Sequence, residues 1–276
     1  MPFAGMDIGS TMTKVVITDE QEKILASHIG PTGAEHRHLA LKVMDETIKK
    51  AGLSFDALDF VVATGYGRIN VPFADRQITE ITCHARGIRS LFPSARIIID
   101  IGGQDSKGIK LDADGKVANF VMNDKCAAGT GRFLEVIAET LGINLVDMGD
   151  IALSADGIVQ ISNTCTVFAE HEVTSRLAEG AGVAEIVAGL HEAIASRVVN
   201  MTRHLGIEKD VVVTGGGAKN SGLVKAIAGK VGFPVLTPPE PFITGSLGAA
   251  LIGKDFYERG LRPAGQRKRE DVKFFS

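Results

Sequence analysis

Apolar residues along this chain follow two different periods. Residues 60–63 and 210–214 form short β-branched or apolar runs bounded by turn residues, which is typical of buried strands. Elsewhere apolar residues recur every three or four positions, as on one face of a helix. Alternation of strands and helices predicts an α/β fold. The predicted helices cover residues 39–51, 132–141, 167–177 and 183–205, and a further helix begins at 247–252, behind Gly245 and Ser246.

Two segments of similar sequence lie 93 residues apart, at 6–14 and 99–107. Each has an apolar residue, Asp, Ile and Gly, followed by polar residues and a Lys, and each continues into a β-like stretch and turn residues. This pattern predicts a β-hairpin with an acidic, glycine-containing tip. Two such hairpins in matching context indicate a duplicated domain. Asp7 and Asp100 occupy equivalent positions in the repeat.

Composition narrows the class of protein. The chain has 276 residues, enough for about two domains, with 45% hydrophobic and 23% charged residues and a formal net charge of −3. This balance argues against a nucleic-acid partner that depends on phosphate neutralisation. No run approaches the roughly 20 apolar residues of a membrane span, and the first residues lack the features of a signal peptide. We therefore expect a cytoplasmic protein with no membrane partner.

Many of the 32 glycines lie at the ends of apolar runs, where the backbone can approach a ligand closely. Neither the P-loop pattern nor the dinucleotide pattern of spaced glycines occurs. The two hairpin tips instead offer backbone N–H groups and hydroxyls to phosphate oxygens, while their carboxylates can hold Mg²⁺. The run of Gly215, Gly216 and Gly217 follows a predicted strand, where its backbone can approach a base or ribose.

The three cysteines are too few, and odd in number, for a disulfide framework. Cys126 and Cys165 each precede a predicted helix, whose N-terminus lowers the pKa of a thiol and makes the thiolate a ready metal ligand. A [4Fe-4S] cluster usually takes four cysteines, so a symmetric dimer sharing one cluster would complete the set. The alternative is that both are small buried core residues. For Cys83, isolated on a predicted helix, buried packing is the favoured interpretation.

Five motifs resemble those of the superfamily that contains acetate and sugar kinases, Hsp70 and actin. The phosphate 1, phosphate 2 and adenosine motifs of that superfamily are similar to residues 7–11, 100–106 and 214–217, in that order. Its two connecting segments are similar to residues 64–67 and 245–248. The resemblance implies duplicated actin-like (ribonuclease H-like) ATPase domains with a nucleotide cleft between them. The expected parts are an N-terminal lobe at 1–95, a C-terminal lobe at 96–253 and a terminal helix or tail at 254–276.

Residues 124–133 and 164–170 resemble the two cluster-ligand motifs of the activators of 2-hydroxyacyl-CoA dehydratases, a family that includes the ATP-hydrolysing subunits of benzoyl-CoA reductase. The resemblance covers nearly the whole chain to about Gly253. It implies a homodimer with one [4Fe-4S] cluster bound by Cys126 and Cys165 of both chains, and an oxygen-sensitive protein of an anaerobic host. It further implies that reduced ferredoxin or flavodoxin donates an electron, which ATP hydrolysis drives to a dehydratase or reductase.

The same resemblance supplies a hypothesis for each site residue. Asp7 and Asp100 organise Mg²⁺, and Gln104 or Asp105 positions the attacking water. Phosphates are held by Ser10, Thr11 and Gly103. The full set of residues expected to bind ATP or ADP is Gly9, Ser10, Thr11, Lys14, Gly102, Gly103, Gly215, Gly216, Gly217, Lys219 and Asn220. Gly217, Lys219 and Ser221 differ from the commonest sequence of the family's adenosine loop. The contacts to the nucleotide base are therefore left open.

Two other functions use the same phosphate hairpins. One is a small-molecule kinase of the same superfamily, although the lobe between the hairpins leaves little chain for a sugar pocket and a kinase needs no pair of cysteines before helices. The other is a non-catalytic, actin-like scaffold that polymerises with nucleotide. Within the activator class, the sequence does not identify the acceptor enzyme or its CoA ester.

Overall fold

The computed structural model describes residues 1–33, 36–162 and 165–261. The chain divides into two compact units, one formed by residues 1–94, 114–117 and 242 onward, the other by 95–113 and 118–241. The predicted boundaries at residues 95 and 253 stay predictions. The predicted tail beyond Leu261 lies outside the described residues.

The secondary structure alternates as the sequence pattern predicts. In chain order the strands and helices are β1 (Phe3–Ile8), β2 (Met12–Thr18), β3 (Ile24–Pro31), α1 (His36–Ala51), β4 (Phe60–Thr64), β5 (Arg76–Gln77), α2 (Glu80–Leu91), β6 (Ile97–Ile101), β7 (Ser106–Leu111), β8 (Val117–Asn123), α3 (Gly131–Leu141), α4 (Met148–Leu153), α5 (Thr166–Ala178), α6 (Val183–Arg203), β9 (Val211–Thr214), α7 (Ser221–Val231) and α8 (Thr244–Glu258).

The first unit is built on a five-stranded sheet in the order β3-β2-β1-β4-β5. β1 pairs antiparallel with β2 and parallel with β4, and every residue of this central strand is buried. α1 buries one apolar stripe against this sheet, including Val43, Met44 and Ile48. α8 packs on β1 and β4 and against α2.

The second unit repeats this plan with four strands in the order β8-β7-β6-β9. β6 pairs antiparallel with β7 and parallel with β9. The buried isoleucines of β6 (Ile97, Ile99 and Ile101) and the valines Val211 and Val213 of β9 share one core with apolar residues of α3, α5, α6 and α7. Burial of this β-branched surface is the main force that stabilises the unit.

The register confirms the two predicted hairpins and their equivalence. In the first unit Asp7 lies opposite Lys14 on β2 and Thr64 on β4. In the second unit Asp100 lies opposite Lys107 on β7 and Thr214 on β9. The predicted α/β fold and the duplication are therefore visible residue by residue.

The last helix begins earlier than the sequence analysis expected. α8 starts at Thr244, so Gly245 and Ser246 lie in its first turn rather than ahead of it. A Cβ on Gly248 would overlap the carbonyl of Cys83 on α2, and one on Gly87 would overlap the carbonyl of Thr244. Close packing of two helix backbones is thus the physical reason for these glycines. None of the described helices is long and apolar enough to cross a membrane.

Candidate functional site

The first acidic hairpin presents a buried carboxylate at the end of β1. Asp7 is only 6% exposed, and the Nζ of Lys14 lies 3.2 Å from its Oδ2. The tip is closed by the N–H of Gly9, which donates to the carbonyl of Met12 at 3.1 Å. Ser10 is exposed and Thr11 is half-buried at this tip. The predicted phosphate-binding residues are therefore grouped beside the Asp7–Lys14 ion pair.

A glycine after β4 makes room for the Asp7 carboxylate. Gly65 has a φ of +84°, and a Cβ there would overlap Asp7 Oδ1. Only glycine combines this left-handed backbone with so close an approach. The segment 64–67 therefore supports the first hairpin through its backbone.

The second hairpin has the same ion pair and one more carboxylate. The Nζ of Lys107 lies 3.2 Å from Asp100 Oδ2 and 2.7 Å from Asp105 Oδ1. Asp100 and Lys107 are almost fully buried, whereas Asp105 is half-buried and Gln104 at the tip is exposed. Asp105 thus carries an ion pair, while the side chain of Gln104 faces solvent; their predicted role in positioning water stays a prediction.

The helix α3 begins on the tip of the second hairpin. Its first N–H groups, those of Gly131 and Arg132, donate to the carbonyls of Gly102 and Gly103, each at 2.8 Å. These bonds satisfy donors that a helix N-terminus leaves unpaired. The predicted phosphate turn is therefore joined directly to the helix that follows Cys126.

The triple glycine after β9 has the same role as Gly65 in the first unit. Gly215 has a φ of +80°, and a Cβ there would lie 2.6 Å from Asp100 Oδ1. A Cβ on Gly217 would lie 2.7 Å from the side chain of Ile101. These glycines bring the predicted adenosine loop against β6 and its carboxylate.

Lys219 and Asn220, predicted to bind nucleotide, also have partners within the protein. The exposed Lys219 pairs with Glu240 at 2.8 Å. Asn220 is the N-cap of α7: its Oδ1 accepts from the N–H of Leu223 at 2.9 Å, and its Nδ2 lies 3.0 Å from His191 Nε2. Burial lowers the pKa of His191 to about 4, so its Nε2 can accept from this amide.

The two candidate cluster cysteines occupy different local structures. Cys165 is the N-cap of α5, as predicted. The prediction that Cys126 lies at a helix N-terminus is wrong: Thr130 is the N-cap of α3, four residues further on. Cys126 lies in a loop that contains Gly129, with a φ of +89°, and is held by Asn123 Nδ2, which donates to the Cys126 carbonyl at 2.8 Å. Both cysteines are half-buried and free.

Cys83 differs from the other two. It is fully buried between the first sheet and α8, and burial raises the pKa of its thiol to about 12. The interpretation of Cys83 as core packing is confirmed. Within one chain, the described residues contain no group of three or more His, Cys, Asp or Glu side chains that could hold a metal ion.

One residue near Asp7 was missed by sequence reasoning. His84 on α2 is 6% exposed and its Nδ1 lies 3.0 Å from Thr244 Oγ1. A polar residue among the buried positions Ile81, Ala85 and Ile88 of one helix was the available signal. Its partner is 160 residues away along the chain, so no local pattern could reveal the contact.

Comparisons with known proteins show the family of this chain. A model of the BadF/BadG/BcrA/BcrD ATPase family matches residues 4–253. The 2-hydroxyisocaproyl-CoA dehydratase activator of Clostridioides difficile is 46% identical over 256 residues, which cover 91% of this chain and 94% of that protein. One of the subunits of the benzoyl-CoA reductase of Thauera aromatica is 31% identical, covering 97% and 98% of the two chains.

A solved structure confirms the predicted ATPase fold. The activator of the 2-hydroxyisocaproyl-CoA dehydratase from Clostridium difficile with bound ADPNP superimposes with a TM-score of 0.89 at 44% identity, covering 100% of both chains.

Proposed function

This chain belongs to the BadF/BadG/BcrA/BcrD ATPase family, and we propose that it is an ATP-hydrolysing activator that donates single electrons to a CoA-ester dehydratase or reductase. The observation that carries the proposal is the repeated site geometry. In each unit a buried Asp is paired with a Lys at 3.2 Å and approached by a left-handed glycine. Two carboxylates supported in this way can hold the metal ion that phosphoryl transfer requires.

ATP hydrolysis is assigned to the two hairpins. Asp7 and Asp100 organise Mg²⁺, which when bound neutralises the developing charge on the phosphates. The tip residues Ser10, Thr11 and Gly103 bind phosphate oxygens through hydroxyl and N–H groups. Asp105 or the exposed Gln104 orients the attacking water. Backbone at Gly215–Gly217 supports the adenosine.

Electron transfer is assigned to a [4Fe-4S] cluster, which would supply one-electron chemistry at low potential. Cys126 and Cys165 fit such a group because both are free and only half-buried, whereas Cys83 is fully buried. Two cysteines from each chain of a homodimer give the four thiolates. Reduced ferredoxin or flavodoxin is the proposed donor.

The second unit offers a route that couples ATP to the cluster residues. Gly102 and Gly103 of the phosphate turn accept hydrogen bonds from the first N–H groups of α3. The loop that precedes α3 contains Cys126 and ends at Thr130. A change in the phosphate turn on hydrolysis therefore moves the start of α3 and the cysteine loop together.

The proposal is tested by measuring iron in protein purified without oxygen. A cluster shared by two chains predicts about two iron atoms per chain. We expect Cys126→Ser and Cys165→Ser to lose this iron and the electron transfer to a dehydratase, while ADP binding persists. Cys83→Ala is the matched control and keeps both. Absence of iron after reconstitution of the wild type, or its retention in both serine variants, would contradict the cluster assignment.

A further inference from the structure

The loop that contains Cys126 is held by the side chain of Asn123, the last residue of β8. Asn123 Nδ2 donates to the carbonyl of Cys126 at 2.8 Å and to the carbonyl of Ala128 at 3.1 Å. Both partners are carbonyl oxygens, which only accept, so the amide must present its nitrogen to them. A single side chain therefore ties the cysteine, and the residue two positions further on, to the end of a strand.

A turn formed by residues 127–130 provides the donor for the carbonyl between those two. The N–H and the hydroxyl of Thr130 both donate to the carbonyl of Ala127, at 3.0 and 2.7 Å. Gly129, the third residue of the turn, has the left-handed φ of +89° that is typical of a type II turn. The carbonyls of three consecutive residues, 126–128, thus all have a donor, which gives this stretch of backbone a defined conformation.

Burial changes along this loop. Asp124 and Lys125 are exposed, Cys126 is half-buried and packs against the core of the second unit, and Thr130 is fully buried. The two exposed residues lie between Asn123 and the cysteine, so they add no buried contact that would hold Cys126. The amide of Asn123 bridges this exposed stretch and restrains the cysteine from the side of β8, while the turn restrains it from the side of α3.

We propose that Asn123 is a positioning residue for Cys126 as a ligand of the proposed cluster. Groups behind a metal ligand keep it oriented, and removal of such a support typically costs about tenfold to a hundredfold in metal affinity. The role rests on the proposed function, because it matters only if Cys126 binds a cluster. Cys165 is positioned differently, as the N-cap of α5, so loss of the Asn123 amide should affect one ligand of each chain and spare the other.

Two substitutions remove the amide donor in different ways. Asn123→Asp keeps the size of the side chain but replaces the donor by a carboxylate oxygen, which repels the two carbonyls. Asn123→Ala removes the donor and adds no charge, so an effect shared by both variants arises from the lost hydrogen bonds. Asn144→Ala is the matched control, because it removes another asparagine amide of the second unit, which donates to Asp147 at 2.9 Å.

The first measurement uses the whole chain without a cluster, so it does not depend on iron. Iodoacetamide labels accessible thiols, and mass spectrometry of the digested protein reports Cys126 and Cys165 separately. We expect both Asn123 variants to label Cys126 about tenfold faster than the wild type, because two hydrogen bonds no longer oppose opening of the loop, with the rate at Cys165 unchanged. Asn144→Ala should keep both wild-type rates.

The second measurement follows iron in the reconstituted protein. We expect a chelator to remove iron from both Asn123 variants about tenfold faster than from the wild type. ADP affinity should stay unchanged, because the bonds from α3 to the carbonyls of Gly102 and Gly103 are kept. Thr130→Val should have a smaller effect, since it loses the hydroxyl but keeps the N–H that donates to Ala127.

Three results would overturn the positioning role while leaving the proposed function intact. These are iron removal from Asn123→Ala at the wild-type rate, equal acceleration of labelling at Cys126 and Cys165, which indicates general opening of the unit, and faster iron loss in Asn123→Asp alone, which indicates an effect of the added charge. Wild-type protein that holds no iron after reconstitution would instead overturn the proposed cluster, and the positioning role with it.

Discussion

The two acidic hairpins share a backbone plan and differ in their charge balance. In the first, one ammonium group, that of Lys14, faces one carboxylate. In the second, Lys107 faces both Asp100 and Asp105, and it is more deeply buried. The residue that corresponds to Asp105 in the first repeat is Met12. Duplication therefore preserved the geometry of the turn, while a change at one position gave the second hairpin an excess negative charge.

We infer that this difference gives the two hairpins unequal parts in the proposed binding of metal and phosphate. A net negative turn attracts a divalent cation, whereas a balanced turn with exposed hydroxyl and N–H groups accepts phosphate more readily. The comparison predicts that equivalent substitutions in the two hairpins have unequal effects.

The largest expected effect is on ATP hydrolysis. Asp7→Asn and Asp100→Asn should each lower kcat by about a hundredfold to a thousandfold, since each removes a carboxylate proposed to hold the Mg²⁺ that neutralises charge on the phosphates. Asp100→Asn should cause the larger loss and the greater requirement for Mg²⁺, because its hairpin carries the excess negative charge. Steady-state ATPase rates across a Mg²⁺ series measure both. Wild-type rates for Asp100→Asn would refute the metal assignment, and equal losses would refute the distinction between the hairpins.

The next effect is on stability. Lys107→Met should reduce the free energy of unfolding by about 3 kcal/mol, because it leaves two neighbouring carboxylates without their buried counter-charge. Lys14→Met should cost about 1 kcal/mol, because its ion pair is partly open to water; the Lys14 side chain is 14% exposed, against 5% for Lys107. Urea denaturation of both variants provides the test. A larger cost for Lys14→Met would show that the charge balance has been misassigned.

A third effect, at most as large as that of Lys107→Met, concerns stability in acid. Burial depresses the pKa of His191 in the second unit to about 4, so between pH 6.5 and 4 the unfolded chain binds a proton that the folded chain does not. Stability should fall over this window as the pH drops, by about 3 kcal/mol at most. Urea titrations at several pH values should show a flatter dependence in His191→Gln. A variant with the wild-type pH profile would exclude His191 as the cause.

The first unit has a different acid-sensitive group, the carboxylate of Glu22. Burial by itself would raise the pKa of Glu22, but hydrogen bonds from Arg86 and Lys254 outweigh it and lower the pKa. This network therefore stabilises the fold above pH 4.5 and is lost as the pH falls through the lowered value. Glu22→Gln should flatten the pH dependence below about 4.5 and leave the window of His191 unchanged.

The sequence by itself determined the strands, helices and hairpins, because these depend on residues close to one another along the chain. The short apolar and β-branched runs predicted β4 and β9, the three- to four-residue period predicted α3, α5 and α6, and the repeat of Asp, Ile and Gly at an offset of 93 predicted both hairpins. Cys165 was correctly placed at a helix N-terminus for the same reason: capping is decided within one turn of chain.

Only the tertiary structure decided which residues from distant segments are in contact. The position of Cys126 depends on the bonds of Asn123 and the left-handed Gly129, which no helical period reveals. The contact between His84 and Thr244 spans 160 residues, and it exists because glycines let α2 and α8 approach closely. Hydrophobic periodicity predicts which face of an element is buried, but which face of another element packs against it depends on the whole fold.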